Sequence, residues 1–134
     1  MSVKPFLDTN ILVYAFSSND PRTQKAISLL ADGGIVSIQV LNEFVNVSRR
    51  KLFRDWEEIE AALDVLMSLL DPPRPLTLEV HQTAINFARD FNYHFYDSLI
   101  LAAASQAGCS ILYSEDLRHG QIILGLTIRN PFIE

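Results

Sequence analysis

Val3-Lys4-Pro5-Phe6-Leu7-Asp8-Thr9-Asn10-Ile11-Leu12-Val13-Tyr14 is a short, mostly apolar run that stops abruptly at an acid and then resumes. A strand buried on both faces reads as a continuous hydrophobic run rather than an alternation. Val3 to Leu7 therefore predicts a buried parallel strand, and Ile11 to Phe16 a short helix after it. Asp8 falls at the strand's carboxyl end, where ligand sites form in open parallel sheets. Thr9 and Asn10 add a hydroxyl and an amide that can hold a carboxylate or a water. The plainer reading is that Asp8 or Asn10 only caps the helix.

The chain beyond this stretch continues in alternation. Arg22 to Ala31 carries a helical stripe closed by Gly33-Gly34, and Ile35 to Ile38 is a second, very short strand candidate. Val40, Phe44 and Val47 recur at helical spacing between Gln39 and about Phe53. Asp55 with Glu58 three places on is an N-cap pair that opens another helix. Its apolar face runs from Trp56 through Ile59, Leu63, Leu66 and Met67 to Leu70. Asp71-Pro72-Pro73-Arg74-Pro75 breaks the pattern as a connecting loop. Glu79 to Phe91 and Asp97 to Ala107 read as helices, and Ile111 to Tyr113 and Leu126 to Ile128 as buried strands. Strands alternating with helices predict an α/β fold, a parallel sheet covered on both faces.

With 134 residues the expectation is a single domain over 1–134, because either half alone would be short of core. The net charge of −5 provides no global positive field, so a nucleic-acid partner would need a local basic patch or a bound cation to meet it. One cysteine, Cys109, rules out an intrachain disulfide and zinc-finger spacing. The apolar run before Asp8 is too short for a signal peptide, and no stretch approaches the roughly 18 uninterrupted apolar residues of a membrane helix. A soluble protein of a reducing cytoplasm is expected.

Four acids stand where local logic would place something else. Besides Asp8, Glu43 interrupts the apolar stripe of Val40, Phe44 and Val47. A buried carboxylate without a partner protonates or acquires a cation; the alternative is an ion pair with an arginine elsewhere in the chain. Asp97 shares a helix face with Ile100, Leu101 and Ala104, although an acid of a helix's first turn is also ordinary. Asp116 follows the strand Ile111 to Tyr113 by a turn containing Ser114 and Glu115, where a solvated loop acid is the simple reading. The combination carries more weight than any member. In a parallel sheet Asp8 and Asp116 emerge at one edge, and neighbouring helices can bring Glu43 and Asp97 to it. Crowded carboxylates raise one another's pKa, and a hard divalent cation such as Mg²⁺ or Mn²⁺ relieves this. Such a site suits phosphodiester hydrolysis.

These residues resemble the PIN-domain nucleases, specifically the VapC-type toxins of bacterial and archaeal toxin–antitoxin pairs. Phe6-Leu7-Asp8-Thr9-Asn10-Ile11-Leu12-Val13-Tyr14 looks like that family's first motif, Ser37 with Glu43 like its second, and Tyr96-Asp97-Ser98-Leu99-Ile100-Leu101-Ala102 like its third. Ile111-Leu112-Tyr113-Ser114-Glu115-Asp116 is similar to the fourth, and Asn130-Pro131-Phe132 to a frequent ending. Asp-Thr-Asn alone is weak; the ordered set across nearly the whole chain is specific. The resemblance implies a three-layer α/β/α fold around a parallel sheet of about five strands, and Mg²⁺- or Mn²⁺-dependent endoribonuclease activity. It assigns Asp8, Glu43, Asp97 and Asp116 as metal-binding catalytic acids, with Asn10 and Ser114 in support. It also implies an RNA substrate, a homodimer and a small antitoxin whose tail blocks the pocket. The adjacent acid Glu115 departs from the pattern and leaves open whether it shares the role of Asp116.

Arg49, Arg50, Lys51 and Arg54 form the densest basic cluster. They are a solvated helix end or a contact for RNA phosphate or an acidic antitoxin segment. His81, His94 and His119 lack metal-ligand spacing, and Tyr93, Phe95 and Tyr96 are read as packing before base stacking. Two other functions compete. In a Mg²⁺-dependent phosphotransfer or phosphatase domain Asp8 would be the nucleophile, but haloacid-dehalogenase-type enzymes begin Asp-x-Asp and this chain has Asn10 at the second place. A catalytically silent binding module would keep the fold without the chemistry; a complete acidic quartet counts against it.

Overall fold

The computed structural model describes residues 3–133, leaving Met1, Ser2 and Glu134 outside. Its centre is a four-stranded sheet made of β1 (Phe6–Leu7), β2 (Ile111–Tyr113), β3 (Ile122–Ile123) and β4 (Leu126–Arg129), in the order β1-β2-β4-β3. Six helices flank it: α1 (Thr9–Ala15), α2 (Thr23–Ala31), α3 (Ile38–Arg50), α4 (Trp56–Leu69), α5 (Leu78–Phe91) and α6 (Phe95–Gln106). This is the expected α/β class, with differences in the sheet.

The first strand is shorter than Val3 to Leu7. Its parallel partners are β2 on one side, with Phe6 opposite Leu112 and Leu7 opposite Tyr113, and Ile35 on the other. Ile35 accepts from Leu7 N–H and donates to the Pro5 carbonyl, both at 2.9 Å. The expected strand Ile35 to Ile38 thus pairs through isolated bridges, and Ile38 already belongs to α3. Gly34 permits this close approach: a Cβ there would meet Leu7 Cδ1 at 2.9 Å and the Pro5 carbonyl oxygen at 3.1 Å. The same segment pairs outward with Arg74, in the stretch read as a plain loop.

The sheet is mixed, not wholly parallel, and has four assigned strands where about five were expected. The strand missing from the sequence reading, β3, pairs antiparallel with β4 through Leu124-Gly125, at φ +50° and +83°. Two consecutive positive φ values are those of a type I′ hairpin turn, which normally announces itself with Asn-Gly or Asp-Gly. Leucine at the first position hid it.

Helix starts follow local chemistry. Asp8, Ser37, Asp55 and Thr77 each accept a backbone N–H through the side chain, and Asp55 with Glu58 forms the expected capping box. Asn92, in the left-handed region at φ +59°, ends α5. α6 starts two residues before expected, so Asp97 lies inside its first turn. One apolar cluster draws on every helix, including Leu12, Leu30, Val40, Leu66, Phe87 and Leu101, with Phe6 and Leu112 from the sheet. α6 is buried continuously from Ser98 to Ala104, so only its ends meet solvent. The α4 stripe divides: Ile59, Leu66 and Leu70 enter the core, while Trp56 and Met67 remain exposed. Among the described residues no helix is long and apolar enough to cross a membrane.

Candidate metal-binding and catalytic site

Strand register does the first part of the assembly. Because Leu7 lies opposite Tyr113, the next residues, Asp8 and Ser114, leave the two parallel strands side by side. Asp8 is buried, and both its carboxylate oxygens are engaged: Oδ1 accepts the Thr9 N–H at 2.6 Å and Oδ2 the Ser114 hydroxyl at 2.7 Å. Capping and site-building are therefore both true of Asp8. Ser114, fully buried, also accepts the backbone N–H groups of Asp116 and Leu117 at 3.3 and 3.2 Å. It thereby ties the turn carrying Asp116 to Asp8. Asn10 reaches the same turn, its Nδ2 donating to Asp116 Oδ2 at 2.8 Å.

The helices supply the other two acids. Glu43 lies half-buried on α3, at the edge of the stripe whose Val40 and Phe44 enter the core. Oε1 accepts the Thr9 hydroxyl at 3.1 Å, and Oε2 accepts Gln39 Nε2 at 3.0 Å. Thr9 thus touches Asp8 through its backbone and Glu43 through its side chain. Asp97 comes from the first turn of α6, which runs back to the start of β2 and so begins near that strand's carboxyl end.

Electrostatics records the crowding. Burial pushes the Asp8 carboxyl from 3.8 up to about 7, against the Ser114 and Thr9 hydrogen bonds that favour its ionised form; Glu43 and Asp97 raise it further. Glu43 is raised mainly by desolvation, opposed by the Gln39 and Thr9 hydrogen bonds and assisted by Asp97 and Asp116. Asp97 is raised by desolvation and then by Asp116, with His94 acting in the opposite sense. None of the four acids has an ion-pair partner among the described residues, whose pairs are Lys4–Asp71, Arg22–Asp20, Arg22–Glu115 and Arg89–Asp90. The arginine partner considered for Glu43 is not there.

The acids influence one another without closing into a shell. Among the described residues no three His, Cys, Asp or Glu side chains are gathered tightly enough to coordinate one ion in this arrangement. The hydrogen bonds from Thr9, Gln39 and Asn10 hold the carboxylates individually. The donor set nevertheless fits a hard divalent cation: oxygens only, no ion-pair partner among the described residues, and Asp8, Glu43 and Asp97 each raised by burial and then by neighbouring acids.

Glu115 takes no part in this cluster. Its carboxylate accepts Arg22 Nη1 at 2.9 Å and the Tyr14 hydroxyl, while the Arg22 guanidinium stacks 3.8 Å above the Tyr14 ring. Of the adjacent acids, Asp116 is the one turned to Asn10 and the site.

An open cleft of about 430 Å³ adjoins the acids; Glu43 and Asp97 line it, whereas Asp8 and Asp116 do not. Gln39, His94 and Tyr96 also line it and were not among the predicted site residues. Gln39 precedes Glu43 by one helical turn, a spacing that brings side chains together and was available as a signal. His94 was set aside for want of metal-ligand spacing, yet it caps α6, its Nδ1 accepting the Tyr96 N–H at 3.3 Å. Of the basic cluster, Arg54 donates to the Phe16 carbonyl at 2.5 Å and Arg49 to the Arg54 carbonyl at 3.0 Å, so both serve the fold locally. Arg50 and Lys51 are exposed.

Comparison with solved structures finds the same fold in bacterial toxin–antitoxin proteins. The Mycobacterium tuberculosis toxin VapC20, described as cleaving the sarcin-ricin loop, superimposes with a TM-score of 0.69 at 21% identity over 83% of this chain and 88% of its own. A toxin–antitoxin complex from Klebsiella pneumoniae gives 0.71 at 19% identity over 96% and 98%. VapBC2 from Rickettsia felis, bound to a DNA fragment from its promoter, gives 0.68 at 21% over 92% and 96%. No curated protein matches the chain in sequence. The family model for the PIN domain matches residues 6–122, from the first strand through all four acids and into β3. By that match the chain belongs to the PIN-domain family.

Proposed function

We propose that this chain is a divalent-cation-dependent endoribonuclease of the reducing cytoplasm, a single nuclease domain over 1–134, and the toxin of a VapBC-like toxin–antitoxin pair. The observation that carries the reading is four carboxylates from distant parts of a PIN-family chain, brought to one sheet edge with no ion-pair partner among the described residues. Asp8, Glu43, Asp97 and Asp116 would hold Mg²⁺ or Mn²⁺. When bound, such an ion polarises a phosphoryl oxygen, acidifies water and neutralises the leaving oxyanion.

The protein's own groups prepare the site. Thr9 and Ser114 fix both oxygens of Asp8, so the most buried acid has one orientation. Gln39 and Thr9 hold Glu43, and Asn10 holds Asp116. Partners of this kind orient ligands and tune their basicity. The cleft beside Glu43 and Asp97 admits the substrate backbone to the acids from one side. Hydrolysis with water attacking phosphorus and the 3′-oxygen leaving gives 5′-phosphate and 3′-hydroxyl ends, and the RNA 2′-hydroxyl takes no part. The double engagement of Asp8 weighs against its acting as a free nucleophile in phosphotransfer. The antitoxin is carried over from the likeness to toxin–antitoxin complexes, and the homodimer from the family resemblance.

The test is purified protein incubated with total RNA in Mg²⁺ or in excess chelator, with sequencing of the new ends. Metal-dependent cleavage with 5′-phosphate ends, abolished in Asp8→Asn and Asp97→Asn variants that still melt cooperatively, is expected. Cyclic phosphate ends, cleavage surviving in chelator or activity persisting in those variants would refute the assignment.

A further inference from the structure

The cleft beside the acids does not end at them. Asn42 and Asn46 are shared with a second cleft of about 420 Å³, completed by Arg49, Arg50 and Trp56. Positions 42, 46 and 49–50 recur at the spacing of one helix face, so the exposed side of α3 forms one continuous groove floor. The seven helical steps from Glu43 to Arg50 span roughly 10 Å of helix.

We infer that this groove along α3 seats single-stranded RNA flanking the scissile phosphate, with a base on Trp56 and a phosphate at Arg50. The inference rests on the nuclease reading and deepens it by naming the form of the substrate. The far end of the groove is chemically suited to this occupant. Trp56 is 56% exposed at the start of α4, and the Arg49 guanidinium lies over its ring, 4.7 Å from the centroid. A flat cation–aromatic platform held open to solvent receives a base, and sequence-tolerant stacking of this kind is how single strands are bound. A base paired within a duplex cannot reach it.

The side chains of Arg50 and Lys51, next to the platform, have no hydrogen-bond or ion-pair partner among the described residues. In a chain of net charge −5 they provide local positive charge for a phosphate backbone that the whole molecule would repel. Asn42 and Asn46 present amides, each both donor and acceptor, midway along the groove, where base edges or sugar hydroxyls would pass. An acidic peptide would also be drawn to the arginines. It makes no use of the exposed aromatic face of Trp56.

Trp56 is the sole tryptophan, so its fluorescence reads the platform directly. The Asp8→Asn protein, expected to bind without cutting, is titrated with a mixed-sequence, end-labelled single-stranded oligoribonucleotide of about twelve nucleotides. Label anisotropy and tryptophan emission are followed together. Saturable quenching with the anisotropy midpoint is expected. Trp56→Ala should weaken binding at least about fivefold, while Trp56→Phe, which keeps a stacking face, should retain affinity within about twofold. Arg50→Glu should also weaken binding and reduce the salt slope by at least about 0.7, the value for one lost contact on a single strand.

RNA binding with unchanged tryptophan emission, and affinity indifferent to both Arg50→Glu and Trp56→Ala, would overturn the inference. If wild-type protein still cleaves RNA, the nuclease reading survives that failure. A polyglutamate peptide displacing no RNA agrees with the proposal, whereas tighter binding of the peptide than of RNA at this face would overturn it. Absence of both cleavage and RNA binding would remove the nuclease reading and the groove together.

Discussion

The Ser114 hydroxyl donates to Asp8 Oδ2 at 2.7 Å, joining the carboxyl ends of two neighbouring parallel strands across 106 positions of sequence. The same oxygen accepts two backbone N–H groups from the turn that carries Asp116. Ser114→Ala therefore removes three hydrogen bonds, two of them to amides that must find water. A loss of about 1–3 kcal/mol in chemical denaturation is expected. Metal affinity should fall at least about tenfold in calorimetry, because Asp8 loses a group that orients it and favours its charged form. A variant as stable as wild type with unchanged metal affinity would show that Ser114 does not organise the site.

The raised pKa of Asp8 makes stability depend on pH, with a definite sign. Its carboxyl moves from 3.8 to about 7 on folding, so the folded state binds the proton more tightly. This contribution is complete below 3.8 and is lost as pH rises through about 7; its full size is roughly 4 kcal/mol. Glu43 and Asp97 are also raised and act in the same direction. In chelator the melting temperature should fall between about pH 4 and about pH 7, and Asp8→Asn should flatten that fall. A Mg²⁺-dependent rise in melting temperature should grow over the same range, since the ion binds the ionised acids. A wild-type profile that climbs with pH in chelator would contradict the assignment.

Glu43→Gln tests whether that carboxylate is held for function. The Thr9 hydroxyl can still donate to the new amide oxygen, and Gln39 can present its own oxygen to the new amide nitrogen. Without metal at about pH 8 the variant should equal wild type or gain up to about 1 kcal/mol, because a repelled charge is gone. Stabilisation by added Mg²⁺ or Mn²⁺ should largely disappear. An apoprotein unfolded by this change would make Glu43 structural.

The neighbouring acids Glu115 and Asp116 should behave differently. Asp116→Asn should lower RNA cleavage at least about tenfold with little change in stability. Glu115→Gln should leave cleavage within about threefold and cost about 0.5–1 kcal/mol, since its ion pair with Arg22 is only partly buried. Reversal of the two phenotypes in cleavage and melting assays would reassign the fourth role.

Much of this was legible in the residues because the signals were local. The abrupt end of an apolar run at Asp8 and the Asp55–Glu58 capping box both survive folding. What sequence could not rank was burial by distant segments. Glu43 looked like an acid inside the core, yet α3 turns just enough to leave it half-buried at a cleft. The roles of Glu115 and Asp116 could not be separated, because Arg22 and Tyr14, which engage Glu115, lie some 90 to 100 positions earlier in the chain. The β3–β4 hairpin was hidden by Leu124 in a conformation usually given to glycine or asparagine. Gln39 escaped notice because orienting an acid requires no motif, only a place one turn away, and His94 was set aside because its spacing suits no metal ligand.

The central claim is that Asp8, Glu43, Asp97 and Asp116 together need a divalent ion. Free Mn²⁺ measured by electron paramagnetic resonance during titration of metal-free protein tests it most directly. Saturable binding at or below millimolar Mn²⁺ is predicted for wild type, at least about tenfold weaker in both Asp8→Asn and Asp97→Asn. No binding at millimolar Mn²⁺, or equal binding by wild type and both variants, would contradict it.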